Sequence, residues 1–115
     1  MTARALAGTV VAAVLAAPPA AAEVTVIAAQ YVCDRGVEVP VTYVNGTDPA
    51  MAFLVAEGKL IALRQVPAAS GMFYAAFDEQ DGYRWRGKGD EAYLAWLAAD
   101  HTAEEQVLLQ GCTAR

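Results

Sequence analysis

Short apolar runs alternate with turn residues from residue 24 to residue 112. Clusters of Gly, Pro, Asn and Asp separate runs rich in Val, Ile, Leu, Tyr and Phe, which is the pattern of strands in an all-β domain. These runs cover residues 24–34, 37–44, 51–56, 60–65, 72–77, 82–86, 91–98 and 106–112. About eight short strands predict a small antiparallel β-barrel, closed or nearly closed.

The connections between these runs carry recognisable turn residues. Residues 57–59 (Glu-Gly-Lys) suit a tight hairpin, and residues 78–81 (Asp-Glu-Gln-Asp) suit a second hairpin with an acidic turn. We expect exposed loops at 67–71 and 87–90, because both contain glycine next to polar residues.

One segment fits two kinds of structure. Residues 91–99 are rich in alanine and leucine, so helix propensity alone favours a helix there. We interpret the segment as a strand, because a sheet without it would be left with an unpaired edge.

The first 22 residues have the pattern of an export signal. Arg4 gives a positive start, residues 6–17 are apolar, and the small residues at 20–22 (Ala-Ala-Ala) suit a cleavage site. The apolar run is shorter than the about 20 residues that span a membrane, and no cysteine near the site offers a lipid acceptor. We therefore predict a signal peptide at 1–22 and a soluble periplasmic domain at 23–115.

Charge and cysteines narrow the class of protein further. The chain has 8 basic and 13 acidic residues, and removal of Arg4 with the signal leaves a net charge of about −6. An acidic domain is expected to bind nucleic acid poorly and suits a basic protein partner. The alternative is that the negative charge only keeps the protein soluble. Two cysteines in an exported chain predict one disulfide, Cys33 to Cys112.

The sequence gives little support for an enzyme. His101 is the only histidine and lies in a polar stretch, where a histidine is usually solvated. Ser70 has no base beside it to activate a nucleophile, and the carboxylates at 78–81, which suit glycoside chemistry, lie in a turn. We expect no catalytic residues, no metal and no cofactor.

Two turns hold the remaining chemistry. Residues 69–74 (Ala-Ser-Gly-Met-Phe-Tyr) place the hydroxyl of Ser70 next to a glycine. Further along, Lys88 lies between Gly87 and Gly89, so its side chain stands clear of its sequence neighbours. Such a lysine fits a narrow cleft of a partner better than it fits an active site.

These segments together resemble the family of membrane-bound and periplasmic inhibitors of c-type (chicken-type) lysozymes. The similarity starts at 31–34 (Tyr-Val-Cys-Asp), continues through the hairpin 53–63 and the turn at 69–71, is strongest at 88–92 (Lys-Gly-Asp-Glu-Ala), and ends at Cys112.

The resemblance implies a fold, a partner and a mechanism. The fold is a small eight-stranded antiparallel barrel, and the partner is a basic c-type lysozyme whose inhibition serves evasion of host defence. In the family, a serine of the Ser-Gly turn and a lysine of the Lys-Gly-x-Glu-Ala loop enter the active-site cleft. These correspond to Ser70 and Lys88, with Gly71, Gly87 and Gly89 beside them.

This chain differs from the family pattern at three places. Family members often carry a tryptophan where this chain has Arg86 and a small polar residue where it has Gly87. The hairpin that contains residues 78–81 is also longer than usual. Because it has no lipid-acceptor cysteine near the predicted cleavage site, the chain resembles the soluble periplasmic branch of the family.

Two other functions stay open on the residues alone. A small-ligand or glycan-binding barrel would need an open cavity lined by Trp85 and Trp96, and a peptidoglycan-cleaving enzyme would need two facing carboxylates in a cleft. Inhibition predicts instead that Ser70 and Lys88 lie exposed and close together at one rim.

Overall fold

A computed structural model describes residues 23–115 as a closed barrel of eight antiparallel strands. The strands follow chain order around the barrel, and a short 3₁₀ turn, Asp34–Gly36, joins the first two. Their bounds are β1 Thr25–Val32, β2 Glu38–Asn45, β3 Met51–Ala56, β4 Lys59–Gln65, β5 Met72–Ala75, β6 Gly82–Lys88, β7 Glu91–Leu97 and β8 Gln106–Ala114. The all-β barrel expected from the sequence is confirmed, and residues 91–97 are a strand. The predicted signal peptide, 1–22, lies outside the described residues.

The barrel interior is filled by side chains from alternate positions of the strands. On β6, Trp85 points inward and is fully buried, whereas Arg84 and Arg86 on either side of it point outward. This alternation follows from the two-residue period of a strand. The largest fully buried side chains are Trp85, Leu54, Leu63, Leu94, Val39 and Val41. A barrel of this size has room for little more than its own side chains.

A small polar network crosses the apolar interior and is centred on Tyr43. The Tyr43 hydroxyl lies 2.8 Å from the Tyr31 hydroxyl and accepts from Trp85 Nε1–H at 2.9 Å. It also donates to the Met72 sulfur at 3.5 Å. Burial, followed by the hydrogen bond with Tyr31, raises the pKa of Tyr43 well above its ordinary value. The network satisfies polar atoms that would otherwise be costly to bury.

Two of the eight strand ladders are much shorter than the others, and we call them the seams. The β1–β8 seam pairs Tyr31 with Ala114 and Val32 with Thr113, and the β4–β5 seam pairs Arg64 with Ala75 and Gln65 with Tyr74. The predicted disulfide between Cys33 and Cys112 is present, with an S–S distance of 2.02 Å, and it lies beside the β1–β8 seam. The disulfide therefore covalently reinforces one of the two shortest ladders in the barrel.

The strand order decides which connections share an end of the barrel. Because neighbouring strands run in opposite directions, every second connection lies at the same end. Residues 46–50, 66–71 and 89–90 therefore lie at one end, which we call the site end, and 57–58 and 76–81 lie at the other. Within residues 23–115, no helix is long and apolar enough to cross a membrane.

Candidate functional site

The turn that carries Ser70 is in direct contact with the end of β6. Ser70 and Gly71 are exposed in the connection from β4 to β5. Gly71 has a φ of +73°, and a Cβ at this position would overlap the carbonyl oxygen of Gly87. Glycine is therefore required by both conformation and space, and its absence of a side chain lets the two backbones touch.

Lys88 is the last residue of β6, which corrects one expectation from the sequence. Residues 87–90 were expected to form a loop, but Lys88 pairs with Glu91 in the β6–β7 ladder, so only Gly89 and Asp90 form the turn. Gly89 has a φ of +63°, which lets two residues close the hairpin. Lys88 is consequently fixed at its backbone by strand pairing while its side chain stays exposed.

Gly87 is required for packing, unlike its neighbour Gly89. A Cβ on Gly87 would lie 2.5 Å from the carbonyl oxygen of Glu91 and 2.6 Å from Cε of Met72, both below any normal contact. A Cβ on Gly89 would meet nothing within 4 Å. The two glycines that flank Lys88 thus serve different purposes. Gly87 allows close packing, and Gly89 allows the turn.

The ammonium group of Lys88 has no partner among residues 23–115. It forms neither a salt bridge nor a hydrogen bond with them, and the same holds for Arg35. The other described cations are engaged: Arg64, Arg84, Arg86 and Arg115 pair with glutamates, and Lys59 lies over the Tyr83 ring. Lys88 can therefore bind an external carboxylate without first breaking an internal ion pair.

Both turns line one open groove at the site end. Its volume is about 760 Å³, and Ser70 and Lys88 lie along it together with Met72, Phe73 and Tyr93. Trp85 is fully buried inside the barrel, so the two tryptophans do not line a common open cavity. Ser70 and Lys88 are thus exposed along the same groove, and the structure does not match a tryptophan-lined ligand cavity.

The groove also has a wall that the sequence did not reveal. Arg86 and Phe73 line it side by side, and Glu105 from the β7–β8 connection binds Arg86 through two hydrogen bonds of 3.0 Å. Nothing in the spacing of Arg86 and Glu105 indicates this contact. The pairing of β6 with β7 and the path of the β7–β8 connection bring the two residues together.

The residues considered for catalysis are dispersed. The side chain of His101 is 93% exposed, and its only charged neighbour among residues 23–115 is Asp100, at 3.9 Å. Hydrogen bonds from the backbone and side chain of Thr102 hold the pKa of Asp100 below its usual value. Glu79 pairs with Arg64 at 3.5 Å. Across residues 23–115, no three His, Cys, Asp or Glu side chains are grouped to hold a metal ion.

Comparison with known proteins identifies the family. The model of the family described as "Membrane-bound lysozyme-inhibitor of c-type lysozyme", MliC, matches residues 31–103. The chain belongs to this family. The matched segment contains Cys33, Ser70 and Lys88, and the family resemblance noted in the sequence is confirmed.

Two solved structures are similar to this barrel. One is PliC-St, a periplasmic lysozyme inhibitor of C-type lysozyme from Salmonella typhimurium. It is 26% identical, with a TM-score of 0.62 over 81% of this chain and 99% of that one. The other is Pseudomonas aeruginosa MliC in complex with hen egg white lysozyme. It is also 26% identical, with a TM-score of 0.59 over 98% of this chain and 100% of that one. A search of curated proteins finds no match. The family and both structural relatives are inhibitors of an enzyme rather than enzymes.

Proposed function

We propose that this chain inhibits c-type lysozymes and that the Ser70 turn and Lys88 enter the active-site cleft of the enzyme. Family membership and the similarity to an inhibitor bound to hen egg white lysozyme support the partner. The observation that carries the mechanism is the contact of Gly71 with the Gly87 backbone, which joins the two exposed turns into one unit. Two turns in contact with each other suit a narrow cleft better than two separate loops.

Lys88 is the electrostatic part of the inhibitor. A lysozyme cleft holds two carboxyl groups, one kept protonated as general acid by a raised pKa and one ionised. An ammonium placed between them pairs with the ionised carboxylate. Its positive charge also lowers the pKa of the general acid and so favours loss of the proton that catalysis requires.

Ser70 is the hydrogen-bonding part. Its hydroxyl donates to a carboxylate, and the missing side chain at Gly71 lets the backbone approach closely. The inhibitor thus acts by occupying the cleft and changing its electrostatics, and it needs no chemistry of its own.

The overall charge of the chain favours encounter with a basic enzyme. Without the predicted signal, the chain carries a net charge of about −6. Opposite net charges on two proteins raise their association rate at low ionic strength. Lys88 itself is positive, so this attraction comes from the rest of the surface, and Lys88 supplies the local contact.

A titration of lysozyme activity tests the proposal directly. Purified protein comprising residues 23–115 is added to hen egg white lysozyme, and the rate of peptidoglycan hydrolysis is measured. We expect the rate to fall to near zero as inhibitor is added, with no change for a lysozyme outside the c type. An unchanged rate at a large molar excess of the protein would refute inhibition.

We also propose that the chain acts in the periplasm after removal of residues 1–22. The small residues before Glu23 motivate this, and one structural relative is a periplasmic inhibitor. Soluble periplasmic protein should begin at or very near Glu23 in N-terminal sequencing. Membrane-bound protein that retains Met1 would contradict this placement.

A further inference from the structure

Arg86 is held rigidly beside the groove by two different contacts. Its Nε donates to Oε1 of Glu105 at 3.0 Å and its Nη2 donates to Oε2 at 3.0 Å, a two-point geometry that fixes the guanidinium plane. Phe73, which is opposite Arg86 in the β5–β6 ladder, lies under that plane, with 3.7 Å between Cζ and the ring centroid. A long side chain that usually samples many rotamers is therefore restricted before any partner binds.

Glu105 also organises the surroundings of Arg86. Its carboxylate lies 3.3 Å from Nη1 of Arg84, whose side chain is only 11% exposed. The Glu105 carboxylate thus links the β7–β8 loop to two outward-facing arginines of β6. Removing this charge would leave both guanidinium groups without their carboxylate partner.

Part of the Arg86 side chain remains exposed, and Arg86 lines the groove. The side chain is 32% exposed, and Nη1 donates to no acceptor within residues 23–115. Lys88 follows two residues later on the same face of β6 and lines the same groove. A partner that covers Lys88 would therefore also reach Arg86.

We propose that Arg86 is a second partner-contacting residue of this site and that Glu105 is its positioning residue. The inference rests on the proposed function, so the partner is a c-type lysozyme. The rim of the enzyme cleft would present a peptide carbonyl to Nη1 or a planar group to the open face of the guanidinium. Such a contact is favourable because Glu105 and Phe73 have already restricted the arginine, which reduces the entropy lost on binding.

Variants at Arg86 test the contact itself. We expect Arg86→Ala to raise the dissociation constant for hen egg white lysozyme about 5- to 30-fold, the range of an important interface arginine. Arg86→Lys keeps the charge and the pairing with Glu105 but loses the planar group, so it should also bind more weakly. The control is Arg64→Ala, which removes an arginine paired with Glu79 away from the groove and should leave the dissociation constant unchanged.

Variants at two neighbouring glutamates separate positioning from net charge. Glu105→Gln and Glu104→Gln each remove one negative charge, but only Glu105 touches Arg86. Both should slow association slightly at low salt because the partner is basic. Only Glu105→Gln should speed dissociation, by roughly 3- to 10-fold, because Arg86 is then no longer held in its binding geometry.

The outcomes distinguish this inference from the proposed function. If the parent protein binds and Lys88→Ala weakens binding, but Arg86→Ala and Arg86→Lys bind like the parent, the role of Arg86 is refuted while inhibition stands. Equal dissociation rates for the two glutamine variants refute the positioning role of Glu105. If the parent does not bind lysozyme, both proposals fail. Thermal melts of each variant confirm that folded protein was compared.

Discussion

The two lysines of the chain, Lys59 and Lys88, lie at opposite ends of the barrel and form a natural pair of test and control. We expect Lys88→Ala to weaken inhibition of hen egg white lysozyme by roughly 30-fold to several thousand-fold. The reason is that removing one partner of a desolvated charge pair costs about 2–5 kcal/mol, and 1.4 kcal/mol corresponds to a tenfold change. Lys59→Ala should leave the inhibition constant nearly unchanged. An unaltered inhibition constant for Lys88→Ala would exclude the inserted lysine, even if the protein inhibits.

Ser70 should contribute less than Lys88. A hydrogen bond to a charged group is worth about 1.5–3 kcal/mol, so Ser70→Ala should weaken inhibition by roughly 10- to 150-fold. Because Ser70 is exposed in its turn, the melting temperature should stay the same. Inhibition constants measured in parallel for Ser70→Ala and Lys88→Ala give the ranking, and a larger loss for Ser70→Ala would reverse the assigned roles.

At the scale of single residues, the sequence shows which side chains stand out, but it does not show which side chains touch each other. Ser70 stands out because it precedes Gly71 in a turn, and Lys88 because it lies between two glycines, which the sequence displays directly. The ion pair of Arg86 with Glu105 joins residues 19 positions apart, and no local pattern indicates such a contact. It depends on the β6–β7 ladder and on the path of residues 98–105, which only the folded chain defines.

The end of strand β6 is the element on which the site depends. Gly87→Ala places a methyl group against the carbonyl oxygen of Glu91 and against Met72. Overpacking of this kind costs about 1–3 kcal/mol, and relief requires the backbone below Lys88 to move. We expect both a lower free energy of unfolding and weaker inhibition.

Gly58→Ala is the matched control for this prediction. Gly58 also lies in a hairpin, has a φ of +76°, and has nothing within 4 Å of an added Cβ. This variant should lose about 1–2 kcal/mol from left-handed strain but inhibit normally once folded. Urea unfolding and inhibition constants measured on both variants check the comparison. Normal inhibition by folded Gly87→Ala would show that the site tolerates a displaced strand end.

The strands themselves were predictable, whereas their ends were less so. Apolar runs between turn residues located seven of the strands, and residues 91–97 were predicted to be a strand because a sheet without them would have an unpaired edge. Gly87 and Lys88 have no such preference, yet they belong to β6 because Ala92 and Glu91 pair with them. Strand β8 continues to Ala114 for the same reason, since β1 pairs with its end. Ladder pairing with a distant segment extends strands past the point where local propensity stops.

For the whole molecule, the disulfide is a contribution to stability that can be tested directly. Cys33 and Cys112 are 79 residues apart, and closing a loop of that length stabilises a protein by roughly 4–5 kcal/mol in the loop-entropy model. We expect the urea midpoint to fall strongly when reductant is added. Intact mass after alkylation should show two modified cysteines only in the reduced sample. An equal midpoint with and without reductant would contradict a major role for the bridge.

The two short seams divide the barrel into two four-stranded sheets, β1–β4 and β5–β8. The disulfide reinforces one seam covalently, so local opening should start at the other, between Arg64–Gln65 and Tyr74–Ala75. That seam is bridged by the connection that carries Ser70. A lysozyme that binds this connection in its cleft would therefore hinder opening of the β4–β5 seam. Amide hydrogen exchange at Val66, whose N–H donates to the Phe73 carbonyl across this seam, should then slow in the complex, although Val66 does not line the groove beside Lys88.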